Sequence, residues 1–138
     1  MRAHIVLPAL ALLAACGSQP ESASQNVTIG RVSPWPAAIT VRQNDHPRIL
    51  AAELSSDVIR VGGSWSGRVA TTTNVAVVEL RSPSFSFILS RPSYGQFVFH
   101  TRVLAVPSLY RRGFDATIVA RGAGLGLIDS RTVHLVFR

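Results

Sequence analysis

The segment Gly113-Phe114-Asp115-Ala116-Thr117-Ile118-Val119-Ala120-Arg121 alternates with a period of two. Phe114, Ala116, Ile118 and Ala120 fall on one face, and Asp115, Thr117, Val119 and Arg121 on the other, as in a strand whose faces meet different surroundings. The 3.6-residue period of an amphipathic helix is sustained nowhere from residue 27 onward. Short strand-like segments recur instead at 27–32, 38–42, 48–54, 58–61, 66–72, 75–81, 85–89, 96–104, 114–121 and 132–137. Between them lies turn chemistry: Asn44-Asp45, Gly62-Gly63, Ser82-Pro83, Arg91-Pro92-Ser93 and the glycine-rich run 122–126. A helical turn competes only at 48–54, where Leu50, Ala51, Ala52, Glu53 and Leu54 are good helix formers. Many short strands at this spacing predict an all-β, antiparallel sandwich or barrel. With 138 residues, 47% of them hydrophobic, the chain fits one folded domain and not a disordered one. The expected core is Ile59, Val61, Trp65, Val69, Ala76, Val78, Leu80, Phe87, Phe97, Phe99, Val103, Phe114, Ile118, Val133, Leu135 and Phe137.

The first 26 residues read differently. Arg2 and His4 form a short positive region, and the apolar run 5–15 follows. That run rises only about 16 Å as a helix, too short to span a bilayer and of the length of a secretory signal. It ends in Leu13-Ala14-Ala15-Cys16, which holds the chain's single cysteine. These four residues resemble the lipobox of bacterial lipoproteins. The resemblance implies that residues 1–15 are removed, that the Cys16 sulfur carries a diacylglyceryl group, and that the chain is anchored through lipid at Cys16. Two or three acyl chains suffice for stable anchoring, at roughly 0.8 kcal/mol per buried CH₂. Residues 16–26 are then the lipidated cysteine and a small, polar tether, and 27–138 the domain, with its centre in 48–138. In this family a residue other than aspartate after the cysteine goes with outer-membrane sorting, which Gly17 fits. The expected location is the bacterial cell envelope, at the outer membrane or its periplasmic face.

The two C-terminal strand segments narrow the fold. An aromatic, Phe114, opens the first, small apolar residues follow on its inner face, and a glycine loop leads to Val133, Leu135 and Phe137 on one face of the last. This pattern resembles strands F and G of immunoglobulin-like and fibronectin-like domains in bacterial surface proteins. The fold expected from it is an antiparallel immunoglobulin-like β-sandwich, with 75–81 as strand C beside F and G. The corner aromatic is phenylalanine rather than tyrosine, and no cysteine pair bridges the sheets.

Chemistry is sparse. All 14 basic residues are arginines, so a P-loop, a lysine Schiff base and a Ser-Lys dyad are excluded. A phosphate-binding loop would have to open a helix, whereas Gly122-Ala123-Gly124-Leu125-Gly126 precedes a strand and reads as a hairpin. In the frame Gly63 to Gly67 the central residue is Trp65, not the serine of a nucleophile elbow. His46 lies in a polar loop beside Asp45, and His100 and His134 fall on strands expected in opposite sheets, so no metal site is expected. No catalytic residues and no cofactor are predicted. Arg60, Arg68, Arg102 and Arg131 read as outward charges that discourage edge-to-edge pairing.

The expected function is therefore a lipid-anchored envelope protein with a non-catalytic binding or structural module. The full chain carries +7, and without Arg2 the mature part keeps 13 arginines against 7 acids, or +6, which favours an anionic envelope polymer or an envelope protein as partner; nucleic acid is not expected. The alternative is an assembly or chaperone-like subunit acting by strand pairing at a sheet edge; a small envelope hydrolase has the least support. The candidate binding face is the outer side of strands C, F and G: Val77, Glu79 and Arg81, then Val119 and Arg121, then His134 and Val136. Valines ringed by charge have the anatomy of a protein-binding patch, unless residues 27–42 cover them.

Overall fold

The computed structural model describes residues 27–83, 85–105, 112–124 and 126–138. They form ten strands: β1 Thr28–Ile29, β2 Ile49–Leu54, β3 Val58–Ile59, β4 Ser64–Thr71, β5 Val75–Arg81, β6 Ser86–Ile88, β7 Ser90–Ser93, β8 Gln96–Arg102, β9 Phe114–Gly122 and β10 Ile128–Phe137. Two five-stranded sheets result, in the orders β1-β2-β4-β8-β7 and β3-β10-β9-β5-β6. The expected strands C, F and G are β5, β9 and β10, and they are neighbours in that order. The helix formers at 49–54 are a strand because Ile49, Ala52 and Leu54 turn into the core, an arrangement that tertiary contact favours over local propensity. The signal, Cys16 and the tether lie outside the described residues.

The sheets are mixed, which corrects the antiparallel expectation. Most pairs are antiparallel, but β1 runs parallel to β2 and β3 parallel to β10. The reason is a switch of sheets. β2 belongs to the first sheet and β3, three residues later, to the second. β1 and β10 then dock alongside these consecutive strands, one on each sheet.

The core lies between the sheets. Ala52, Leu54, Trp65, Val69 and Phe97 face it from one side, and Val75, Val78, Leu80, Phe114, Ala116, Ile118 and Leu135 from the other. A line of aromatic rings crosses it. Trp65 meets Phe99 edge-on at 4.9 Å, Phe99 meets Phe87 at 5.2 Å, and Phe87 stacks on Phe85 at 6.2 Å. Phe85 meets Phe114 at 5.7 Å, and Phe114 stacks on Phe137 at 5.0 Å. Phe87–Phe99 is the junction between sheets, and such edge-to-face pairs stabilise beyond their buried area.

Several local expectations change. Val61 is 51% exposed at the turn after β3 rather than in the core. Between Val75 and Val77 the β5–β9 register shifts by a bulge. The extra residue turns both Val75 and Val78 inward and leaves Ala76 half-buried. Residues 38–42 are not a strand: Ile39 makes a single parallel bridge to Thr72. Arg91-Pro92-Ser93, read as a turn, belongs to β7, an exposed edge strand where proline costs no ladder bond. β10 starts at Ile128, four residues before the expected start.

Arg131 is the largest departure. It is 8% exposed and faces inward, because the register pairs it with the inward Ile118. Its Nη2 donates to the Ile49 carbonyl at 2.6 Å, and Asp129 Oδ2 accepts from the Ile49 N–H at 2.7 Å. Ile49 sits at the bulge of β2, where ladder bonding is interrupted. Asp129 and Arg131, two apart on β10, thus satisfy both backbone groups of one residue in the opposite sheet. Burial lowers the Arg131 pKa, and the Asp129 charge opposes that shift.

Candidate functional site

The outer face of β5, β9 and β10 carries all the residues expected on it. Glu79 organises its charges. Its Oε2 accepts from Arg81 Nε at 2.9 Å and lies 3.6 Å from Arg121 Nη2, while Oε1 accepts from the Ser86 hydroxyl. Hydrogen bonds from Arg81 and then Ser86 hold the Glu79 carboxyl at about 2, against the opposing effect of burial. Next to this cluster, His134 Nδ1 lies 2.9 Å from Asp115 Oδ1 across β9 and β10, with both side chains exposed. Thr117 and Thr132 meet hydroxyl to hydroxyl at 3.3 Å.

The valines of this face differ from an exposed apolar centre. Val119 lies between Glu79 and Ser130 in the register and is 6% exposed. Val77 and Val136 are half-buried. The chain's own side chains cover the centre, and both arginines of the face lie against Glu79. Residues 27–42 do not supply that cover; they run over the other sheet.

There the N-terminal segment builds a groove. The Gly30 N–H donates to the Leu54 carbonyl at 2.8 Å, and the Val32 N–H to Glu53 Oε2 at 2.6 Å. The segment then crosses the outer face of β2 and β4. Gly95, at φ 72°, permits the close approach, since a side chain there would collide with Ala38 and the Thr71 carbonyl. Trp35 donates from Nε1 to Gln96 Oε1 at 2.8 Å, and its ring lies 3.9 Å from the Arg68 guanidinium. Arg68 Nε in turn donates to Glu53 Oε1 at 2.6 Å. The cross-strand register explains the pair, because Glu53 on β2 is directly opposite Arg68 on β4.

Two adjoining depressions of about 500 Å³ and 400 Å³ flank this bridge and share Arg31, Glu53 and Arg68. Trp35 lines the first, and Ser55 and Ser66 the second. Burial pushes the Glu53 carboxyl up, but hydrogen bonds from Arg68 and Val32, with the Arg68 and Arg31 charges, bring it below its ordinary value. Arg31 is exposed, and makes no hydrogen bond or ion pair among the described residues. Groups of this kind recognise: guanidinium forks bind carboxylates, hydroxyls exchange hydrogen bonds, and an indole offers a flat apolar surface.

Sequence reasoning treated Arg68 only as an outward charge and passed over Arg31 and Trp35. The one local signal is Trp35 held between Pro34 and Pro36 just after Arg31. His46 stays in its loop, with Nδ1 2.8 Å from the Pro47 carbonyl. His100 and His134 are on β8 and β10, in different sheets. Among the described residues no three metal-ligating side chains gather, and no helix is long and apolar enough to cross a membrane. No protein family matches the chain, and neither does any curated protein.

Proposed function

We propose that the chain is a lipid-anchored protein of the bacterial cell envelope, whose immunoglobulin-like module is non-catalytic and holds an envelope component. The observation that carries the binding reading is the groove of Arg31, Trp35, Glu53 and Arg68, where an exposed arginine and an aromatic ring flank a carboxylate that is ion-paired with Arg68. Support for the immunoglobulin-like reading comes from two sheets around one core and from the order β5-β9-β10, with parallel edge pairs as its departure. The anchor rests on the lipobox ending at Cys16. Val27 already belongs to the core, so the groove residue Arg31 lies within roughly 50 Å of chain from the lipid. Strand pairing has less to work with. The edge strands β1, β3, β6 and β7 have two, two, three and four residues, and β7 carries Pro92.

Metabolic labelling with a fatty-acid analogue in a bacterial host tests the anchor. The chain takes up label and Cys16→Ser does not; label retained on Cys16→Ser overturns it. Co-sedimentation of the detergent-solubilised chain with delipidated envelope polymer tests the binding. Arg31→Ala weakens the co-sedimentation, and an unchanged distribution overturns the role of the groove.

A further inference from the structure

We infer that the groove between the N-terminal segment and the β2–β4 face takes a carboxylate-bearing sugar unit of an acidic saccharide. The inference rests on the binding reading above and names its ligand class.

Three features of the groove choose the ligand. The first is charge. Arg31 and Arg68 supply two positive charges and the ionised Glu53 one negative, so the groove carries a single excess positive charge. One ligand carboxylate placed in the groove matches that balance. A dianionic phosphate brings a second charge next to Glu53, and like charges at close range are costly. The second feature is the arrangement of donors and acceptors. Arg68 is committed through Nε to Glu53 and by its face to Trp35. Among the described residues Arg31 makes no hydrogen bond or ion pair, and it is the natural fork for a ligand carboxylate. Each Glu53 oxygen takes one donor, from Arg68 or from Val32, and so retains a lone pair that a sugar hydroxyl can fill. Ser55 and Ser66 line the same hollow with further hydroxyls. The third feature is shape. The site is an open groove and not a closed cavity, and the half-buried Trp35 lines it with one face of its ring against Arg68. Hollows of about 500 Å³ and 400 Å³ side by side suit consecutive units of a polymer.

Trp35 supplies a readout independent of any biological assay. The other tryptophan, Trp65, is 4% exposed in the core, so a ligand in the groove perturbs Trp35 emission alone. The experiment titrates the full-length chain in detergent with trigalacturonate, with the corresponding neutral galactose trisaccharide, and with glycerol phosphate. Trigalacturonate is expected to change the emission saturably, and Arg31→Ala to weaken it by roughly tenfold or more, equivalent to about 1.4 kcal/mol. Trp35→Phe abolishes the signal while calorimetry still detects binding. The neutral sugar is expected to bind at least tenfold more weakly. Equal binding of the neutral sugar overturns the carboxylate requirement. Tighter binding of glycerol phosphate overturns the saccharide and makes a phosphate-bearing group the ligand. No saturable response to trigalacturonate up to about 10 mM overturns the ligand class. In each case Arg31-dependent co-sedimentation with envelope polymer still stands or falls by itself, which separates failure of this inference from failure of the binding reading.

Discussion

Arg131→Met removes the guanidinium that ties β10 to the bulge of β2, and leaves an apolar chain about as long as the arginine's aliphatic stem. The side chain is 8% exposed, so water does not freely replace what is lost. The bond to the Ile49 carbonyl, at 2.6 Å, is charge-assisted, a kind that contributes about 1.5–3 kcal/mol. Leaving the carbonyl unpaired in a buried place costs about 1–3 kcal/mol, and the two figures describe largely the same loss. Against this, methionine does not carry a charge into the interior, which returns part of the deficit. The expected net destabilisation is about 2–3 kcal/mol. Asp129→Ala removes the acceptor of the Ile49 N–H at 2.7 Å and costs about 1–3 kcal/mol by the same reasoning. Because both side chains serve one residue, the double variant loses less than the sum of the single ones. Urea melts analysed by linear extrapolation measure all three variants. A loss below about 0.5 kcal/mol for Arg131→Met, the level of an ordinary surface change, refutes the clamp. Strict additivity of the pair refutes the shared target.

Two further outcomes follow from named contacts. Phe114, 8% exposed between Phe85 and Phe137, costs about 3–5 kcal/mol on substitution by alanine and tolerates tyrosine; a urea-melt loss below about 1 kcal/mol places the ring elsewhere. Glu79 titrates at about 2 in the folded chain, below its ordinary value of 4.5, so its contribution is present above about pH 4.5 and fades as pH falls toward 2. Glu79→Gln flattens the stability profile across that window, and an identical slope in wild type and variant, measured by melts at a series of pH values, counts against the Arg81–Glu79–Arg121 cluster.

Strands β5, β8 and β9 are legible in the sequence because alternation reports a two-faced environment. The reading loses accuracy where the backbone departs from a regular ladder. The bulge after Val75 adds a residue that no pattern announces, so Ala76 is expected where Val75 stands. Arg131 is hidden for another reason: arginine is seldom buried, and only the tertiary position of Ile49 shows what it bonds. The candidate face of β5, β9 and β10 has its members correctly placed side by side. The burial of Val119 was not legible, since it depends on how neighbouring long side chains lie. The groove is the least legible part. Residues 31, 35, 53 and 68 share no periodicity, and become neighbours only through the pairing of β2 with β4 and the path of the segment across them.

The parallel pairing of β3 with β10 has a consequence for the order in which the chain is made. Val58 and Ile59 find their partners, Val136 and Phe137, only after almost eighty intervening residues have been synthesised. Until then the second sheet lacks one flank and the inner faces of β5 and β9 are incompletely covered. Contacts this distant along the chain must close a long loop before they stabilise anything, which slows folding. A growing chain therefore stays short of its native state until β10 emerges, and then gains the β9 hairpin, the edge with β3 and the Ile49 clamp together.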